Sequence, residues 1–165
     1  MRHKIRVIGA LPYEKVRDDC HAVKAGDQEA IRRHAARIAA ALPDRSLLIP
    51  IPSHTGRATY TSRLAWAIVR EARPLRKECF IRDVAICTPR ESLCTLKQSG
   101  RDISKAKVEF RFRNEAFNKK ELEYFRNSGF RQVLVDNVMD TGTTAMAMMR
   151  LIGDAVVAAI GDTDQ

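Results

Sequence analysis

Val133-Leu134-Val135-Asp136-Asn137-Val138-Met139-Asp140-Thr141-Gly142-Thr143-Thr144 is the stretch on which the reading of this chain turns. An apolar run stops on a carboxylate, passes through a small polar turn, and enters a second apolar segment. Gln132 to Asp136 reads as a strand buried on both faces, and Ala145 to Ile152 as a helix. A strand, a glycine-bearing turn and a helix in that order form one half of a βαβ unit.

Working outward, the same alternation recurs. Asp27 reads as an N-cap, and Ala30, Ile31, His34, Ala35, Ile38, Ala41 and Leu42 follow at helical spacing until Pro43. Ser46 to Pro52 is a continuous apolar run with a proline near its centre, so the proline is expected where the ladder ends or at an edge. Leu64, Ala65, Ile68 and Val69 share a helical face. Phe80 to Ile86 reads as a strand, Thr88 to Lys107 as a long polar loop, Glu109 to Phe112 as extended, and Lys119 to Asn127 as a helix closed by Gly129. Ala155 to Ile160 is a last strand, and His3 to Ile8 a short first one before a turn at Pro12. The expected fold is α/β, an open, mostly parallel twisted sheet flanked by helices. Ligands of such sheets sit at the carboxyl ends of the strands, which here means the loops after Pro52 and Val135.

Composition narrows the classes. The 165 residues suit one domain, 1–165, and no apolar run is long enough to cross a bilayer. The N-terminus lacks the apolar stretch of a signal peptide, so a cytoplasmic protein is the default reading. Cys20, Cys79, Cys87 and Cys94 lack metal-ligand spacing and read as reduced thiols, and the four histidines are scattered. The net charge is +9, yet from Leu134 onward only Arg150 opposes five aspartates. The positive excess lies upstream, in Arg57 to Arg90 and Lys97 to Lys120. It suits an anionic small molecule, nucleic acid or a solvated surface alike.

The chemistry of Asp136 to Thr144 is more selective. A carboxylate at a strand end accepts hydrogen bonds from sugar hydroxyls. Gly142 lets backbone approach a ligand closely, and the N–H groups of Thr141, Gly142, Thr143 and Thr144 at a helix N-terminus present donors to a phosphate. Diol acceptors followed by a phosphate cradle match a ribose 5-phosphate. Ser53-His54-Thr55-Gly56-Arg57, after the other buried strand, adds backbone freedom at Gly56 and a bidentate cation at Arg57.

This segment resembles the PRPP (5-phosphoribosyl-1-pyrophosphate) fingerprint of type I phosphoribosyltransferases: apolar residues, an acidic pair, two variable residues, then Thr-Gly-x-Thr. Over Leu47 to Ile160 the order of parts also resembles ComF-like phosphoribosyltransferases, with a strand ending in Pro-x-Pro, an arginine-bearing loop, a basic loop and the fingerprint near the C-terminus. The resemblance implies a small hood from 1–26 and/or 108–128, and transfer of ribose 5-phosphate from PRPP to a nitrogenous base, a purine favoured. It implies that Asp136 and Asn137 hold the ribose hydroxyls and that Thr141 to Thr144 anchor the 5′-phosphate. Ser53, His54, Thr55, Gly56 and Arg57 would receive pyrophosphate, with Lys97 and Arg101 closing over it. Asp140 would face the purine as a general acid/base. Magnesium would be held mainly by the substrate, with Asp136 as its one candidate protein ligand. The family's acidic pair is Asp136-Asn137 here, so a PRPP-sensing protein without turnover stays open, as does a ComF-like role associated with DNA uptake. The expected partners are PRPP and a base; nucleic acid on the basic surface and a second copy of the chain stay open, and a membrane is not expected.

Overall fold

The computed structural model of the chain describes residues 5–102 and 107–165. Two strands sit at its centre, β3 (Arg45–Pro50) and β7 (Arg131–Val135), paired in parallel with Leu48 opposite Val133 and Pro50 opposite Val135. Around them lie β1 (Val7–Ile8), β4 (Glu78–Ile81) and β9 (Val156–Ala158), giving a five-stranded sheet in the order β1-β9-β7-β3-β4, parallel throughout.

Alternate residues of these strands enter two cores. Leu48, Val133, Val135 and Ala158 pack beneath α1 (Tyr13–Ala25), α2 (Gln28–Ala41) and α3 (Tyr60–Ala72). Leu47, Ile49, Leu134 and Val157 face α5 (Glu115–Asn127) and α6 (Thr143–Ile152) on the other side. Burial on both faces is why β3 from Leu47 and β7 from Val133 are apolar without alternation.

Pro50 shows how a proline is accommodated in a central strand. Ile51 donates its N–H to Val135 while Leu48 accepts from Arg82, so the position of Pro50 faces the β4 side. There β4 has already ended, with Ile81 opposite Leu48, and no rung is lost.

Several boundaries differ from those read off the sequence. The run Phe80 to Ile86 is two strands: the sheet strand ends at Ile81, and β5 (Ala85–Cys87) pairs antiparallel with β6 (Phe110–Phe112) in a separate ribbon. The break falls at Arg82-Asp83, whose side chains pair with Glu121 and Arg113 and turn the chain out of the sheet. The polar loop from Thr88 to Lys107 contains α4 (Leu93–Gln98), where Ser92 Oγ accepts the Thr95 N–H at 3.0 Å; residues 103–106 lie outside the described residues. The helix expected from Lys119 starts at Glu115, because Asn114 Oδ1 caps Phe117 N–H at 3.2 Å. The helix expected from Ala145 starts at Thr143. The first strand is confined to Val7–Ile8, with His3 and Lys4 outside the described residues.

The segments from which a hood is expected contribute both to the main layers and to the smaller sheets. In 5–26, β1 extends the sheet and α1 lays Val16, Cys20 and Val23 onto the first core. In 108–128, β6 completes the ribbon and α5 places Leu122 and Phe125 in the second core. Short parallel strands β2 (Leu11–Pro12), β8 (Val138–Met139) and β10 (Gly161–Asp162) continue beyond the main sheet at its carboxyl end. No helix among the described residues is long and apolar enough to cross a membrane.

The chain leaves β3 for α3 on one face and leaves β7 for α6 on the other. Adjacent parallel strands whose connections part to opposite faces leave a crevice at their carboxyl ends. The loops after Pro50 and after Val135 border it.

Candidate functional site

Three loops meet in that crevice around a cavity of about 150 Å³. The first supplies Ser53 and His54, the second Arg90, Ser92 and Cys94, and the third Asp136, Asn137, Val138 and Thr144. Lys24 from the last turn of α1 and Tyr60 from the first turn of α3 complete the wall.

Asp136 leaves β7 half-buried at the sheet's carboxyl edge. Its N–H goes to Ala158, and Asn137 N–H donates to its Oδ1 at 2.7 Å. Burial pushes its carboxyl up to about 6; the Asn137 N–H and the charge of Lys24 offset only part of that. Tyr60 stands in the same field, its phenol held well above the ordinary range by burial and then by the Asp136 charge, with Arg90 acting the other way. The Lys24 ammonium lies 5.6 Å from the centre of the Tyr60 ring.

Asn137 is only 2% exposed. Its Nδ2 donates to the Cys20 carbonyl of α1 at 2.9 Å, and its Oδ1, on a residue lining the cavity, has no partner.

The loop Ser53 to Arg57 is closed on itself and tied down. Ser53 N–H donates to Arg57 O at 3.1 Å, Gly56 N–H to Ser53 O at 3.0 Å, and Ser53 Oγ lies 2.6 Å from Thr55 Oγ1. Cys87 N–H reaches Gly56 O, and Arg90 N–H reaches His54 O, so the end of β5 and the approach to α4 are fixed against this loop. Arg57 and Thr55 are exposed and Gly56 is buried, and all three lie outside the cavity lining.

Beyond Met139 the chain makes the turn that starts α6. Gly142 takes φ 80°, a left-handed conformation that favours glycine, and a Cβ there would meet Ile5 Cδ1 at 2.9 Å. Gly142 offers α6 no side-chain cap; Thr141 Oγ1 accepts the Thr143 N–H at a long 3.4 Å and lies 2.8 Å from Thr143 Oγ1. A helix start without an N-cap side chain leaves N–H groups of its first turn and its positive dipole end available, which is the arrangement that receives a phosphate. Asp140 points elsewhere: it accepts from Thr163 Oγ1 at 3.1 Å and from Lys97 Nζ at 3.2 Å. Arg101 is paired with Glu91 at 3.2 Å, within its own loop.

The fold therefore brings Ser53, His54, Asp136, Asn137 and Thr144 to one cavity, with Asp140, Thr141, Gly142 and Thr143 on the adjoining turn and Lys97 and Arg101 in ion pairs. Sequence reasoning missed Lys24, Tyr60 and Arg90. Arg90 lay in the polar loop Thr88 to Lys107, four residues past Ile86. Lys24 and Tyr60 had no local signal, since their relevance depends on α1 and α3 packing beside β7. No protein-family model matches the chain, and no curated protein matches it in sequence.

Proposed function

We propose that the chain binds PRPP and transfers its ribose 5-phosphate to a nitrogenous base, a purine favoured, with release of pyrophosphate. The observation that carries this reading is the meeting of three loops at the switch point of a parallel sheet. One starts on Asp136 and leads to a helix start at Thr143 whose N-cap is a glycine; the other two carry Ser53 and Arg90.

In this reading the Asp136 carboxylate accepts from a ribose hydroxyl, and the N–H groups and hydroxyls of Thr141 to Thr144 hold the 5′-phosphate. A base nitrogen attacks ribose C1 as the C1–O bond to pyrophosphate breaks, and the bonding pair leaves with the pyrophosphate oxygen. Negative charge near C1 from Asp136 favours the positive charge that develops there. Asp140, between Lys97 and Thr163 on the turn, is the group offered for the acceptor's proton. Lys97 and Arg101 are held by carboxylates that an incoming polyphosphate would outcompete. Arg57, exposed on the tied loop, is free to turn toward the leaving group.

The donor set fits a magnesium ion shared with substrate. The Asp136 carboxylate and the unpartnered Asn137 Oδ1 are hard oxygen donors on consecutive residues, and phosphate and ribose oxygens would fill the remaining positions. When bound, the ion supplies charge stabilisation to the departing pyrophosphate.

One observation favours a second reading, PRPP sensing without turnover: the Asn137 amide is buried and committed to Cys20, so one carboxylate serves the ribose where the resembled family has two. Pyrophosphate release from PRPP and magnesium, measured against a panel of purine and pyrimidine bases, separates the two. Base-dependent release, strongest with a purine, is expected. Tight PRPP binding with no release from any base would establish the sensor instead.

A further inference from the structure

We infer that Lys24 and Arg90 are ligand-binding residues of this cavity, gripping the phosphates of its anionic ligand. The inference rests on the PRPP reading for the ligand's name but not for its charge.

The two cations come from distant parts of the chain. Lys24 is the last-turn residue of α1, and Arg90 follows β5, yet both line the cavity that holds Asp136. Among the described residues neither forms an ion pair with a carboxylate. Lys24 Nζ rests over the Tyr60 ring, an exposed and weakly held position from which it can swing. Arg90 Nη1 donates to the Glu91 carbonyl at 2.8 Å, but its Nε is buried with no partner. An unsatisfied guanidinium N–H in a buried position costs free energy in the free protein, and a phosphate oxygen would satisfy it with a charge-assisted bond.

The placement of both is built in. Arg90 is fixed through its backbone N–H on the His54 carbonyl, at 3.1 Å. The end of α1 is fixed by Asn137 Nδ2 on the Cys20 carbonyl, one helical turn before Lys24. The segment that carries Asp136 thus also sets where Lys24 can reach. Two cations without a salt bridge among the described residues, a guanidinium Nε without a hydrogen-bond partner and the unpartnered Asn137 Oδ1 around one small cavity describe a site for a polyanion that also offers hydroxyls or a bound cation.

The test is calorimetry of the full chain at fixed ionic strength with magnesium, using PRPP and, separately, inorganic pyrophosphate. The variants are Lys24→Met, Arg90→Met and the charge-matched control Lys120→Met on the outer face of α5. Lys24→Arg and Arg90→Lys guard against a mere packing defect, and near-ultraviolet circular dichroism checks the fold of each. Expected is at least tenfold weaker PRPP binding in each methionine variant, partial recovery in the conservative ones and no change in the control. PRPP affinity within twofold of wild type in both methionine variants would overturn the inference and leave the proposed function standing. No PRPP binding by the wild type, with pyrophosphate binding that needs Lys24 and Arg90, would do the reverse. Binding of neither compound by the wild type would overturn both.

Discussion

Taking the Asp136 carboxylate out of water raises its proton affinity, and a single N–H from Asn137 with the Lys24 charge nearby does not repay the loss. The folded-state value, about 6, lies above the ordinary 3.8 of an exposed aspartate. The folded chain therefore holds the proton to higher pH than the unfolded chain. Stability falls as pH rises from about 4 to about 6, by roughly 3 kcal/mol, and the cost is fully present above that window. An amide accepts the same Asn137 N–H without the charge. Asp136→Asn is accordingly expected to gain up to about 3 kcal/mol at pH 8 and nothing at pH 4 by urea denaturation, while losing PRPP binding. An equal effect at the two pH values would show that the carboxylate is not desolvated. A group kept at a cost to stability in the free protein is the pattern of a binding residue.

At the scale of elements, α1 is joined to the β7 loop by a buried amide. Asn137 Nδ2 donates to Cys20 O, so a carboxylate at position 137 would set acceptor against acceptor with almost no water to screen them. Asn137→Asp would restore the acidic pair of the resembled fingerprint, yet it is expected to destabilise the chain by roughly 2–4 kcal/mol at pH 8. The loss should shrink at pH 5, where a protonated carboxyl can donate. Chemical denaturation at the two pH values measures it; a neutral or stabilising effect at pH 8 would mean that the amide does not bridge helix and loop. A second polar joint secures α1 to α2. Arg37 can only donate, so His34 Nδ1 accepts at 2.8 Å and Nε2 carries the proton toward Asp19 at 2.7 Å, while Arg37 also holds Gly9 and Ile160 carbonyls. Burial keeps His34 below its ordinary value, consistent with the neutral ring that this pattern needs.

Across the whole molecule, the legible parts were those whose signal is local. Burial on both faces makes β3 apolar from Leu47 and β7 apolar from Val133, and the parallel order they imply directs attention to Ser53 and Asp136 from the sequence alone. The expected position of Pro50, at the end of a ladder, followed from its missing N–H. Where pairing joins distant segments, the sequence carried less. The β5–β6 ribbon and the two-residue strands β2, β8 and β10 exist through register between remote residues, and nothing in Ala85 to Cys87 or Gly161-Asp162 announces a partner. The helix α1 did leave a trace, Val16, Cys20 and Val23 at helical spacing, thinly set among charges. Lys24 and Tyr60 matter only because α1 and α3 pack on the same face of the sheet.

The measurement that bears most directly on the central claim is calorimetric titration of PRPP, with magnesium, into the wild type, Asp136→Ala and Thr144→Ala. Asp136 and Thr144 come from the strand end and the helix start, and both line the cavity. Binding by the wild type that is lost in Asp136→Ala, and weakened at least tenfold in Thr144→Ala, is the predicted result. No binding by the wild type, or the same affinity in all three proteins, would contradict the assignment of this crevice to PRPP.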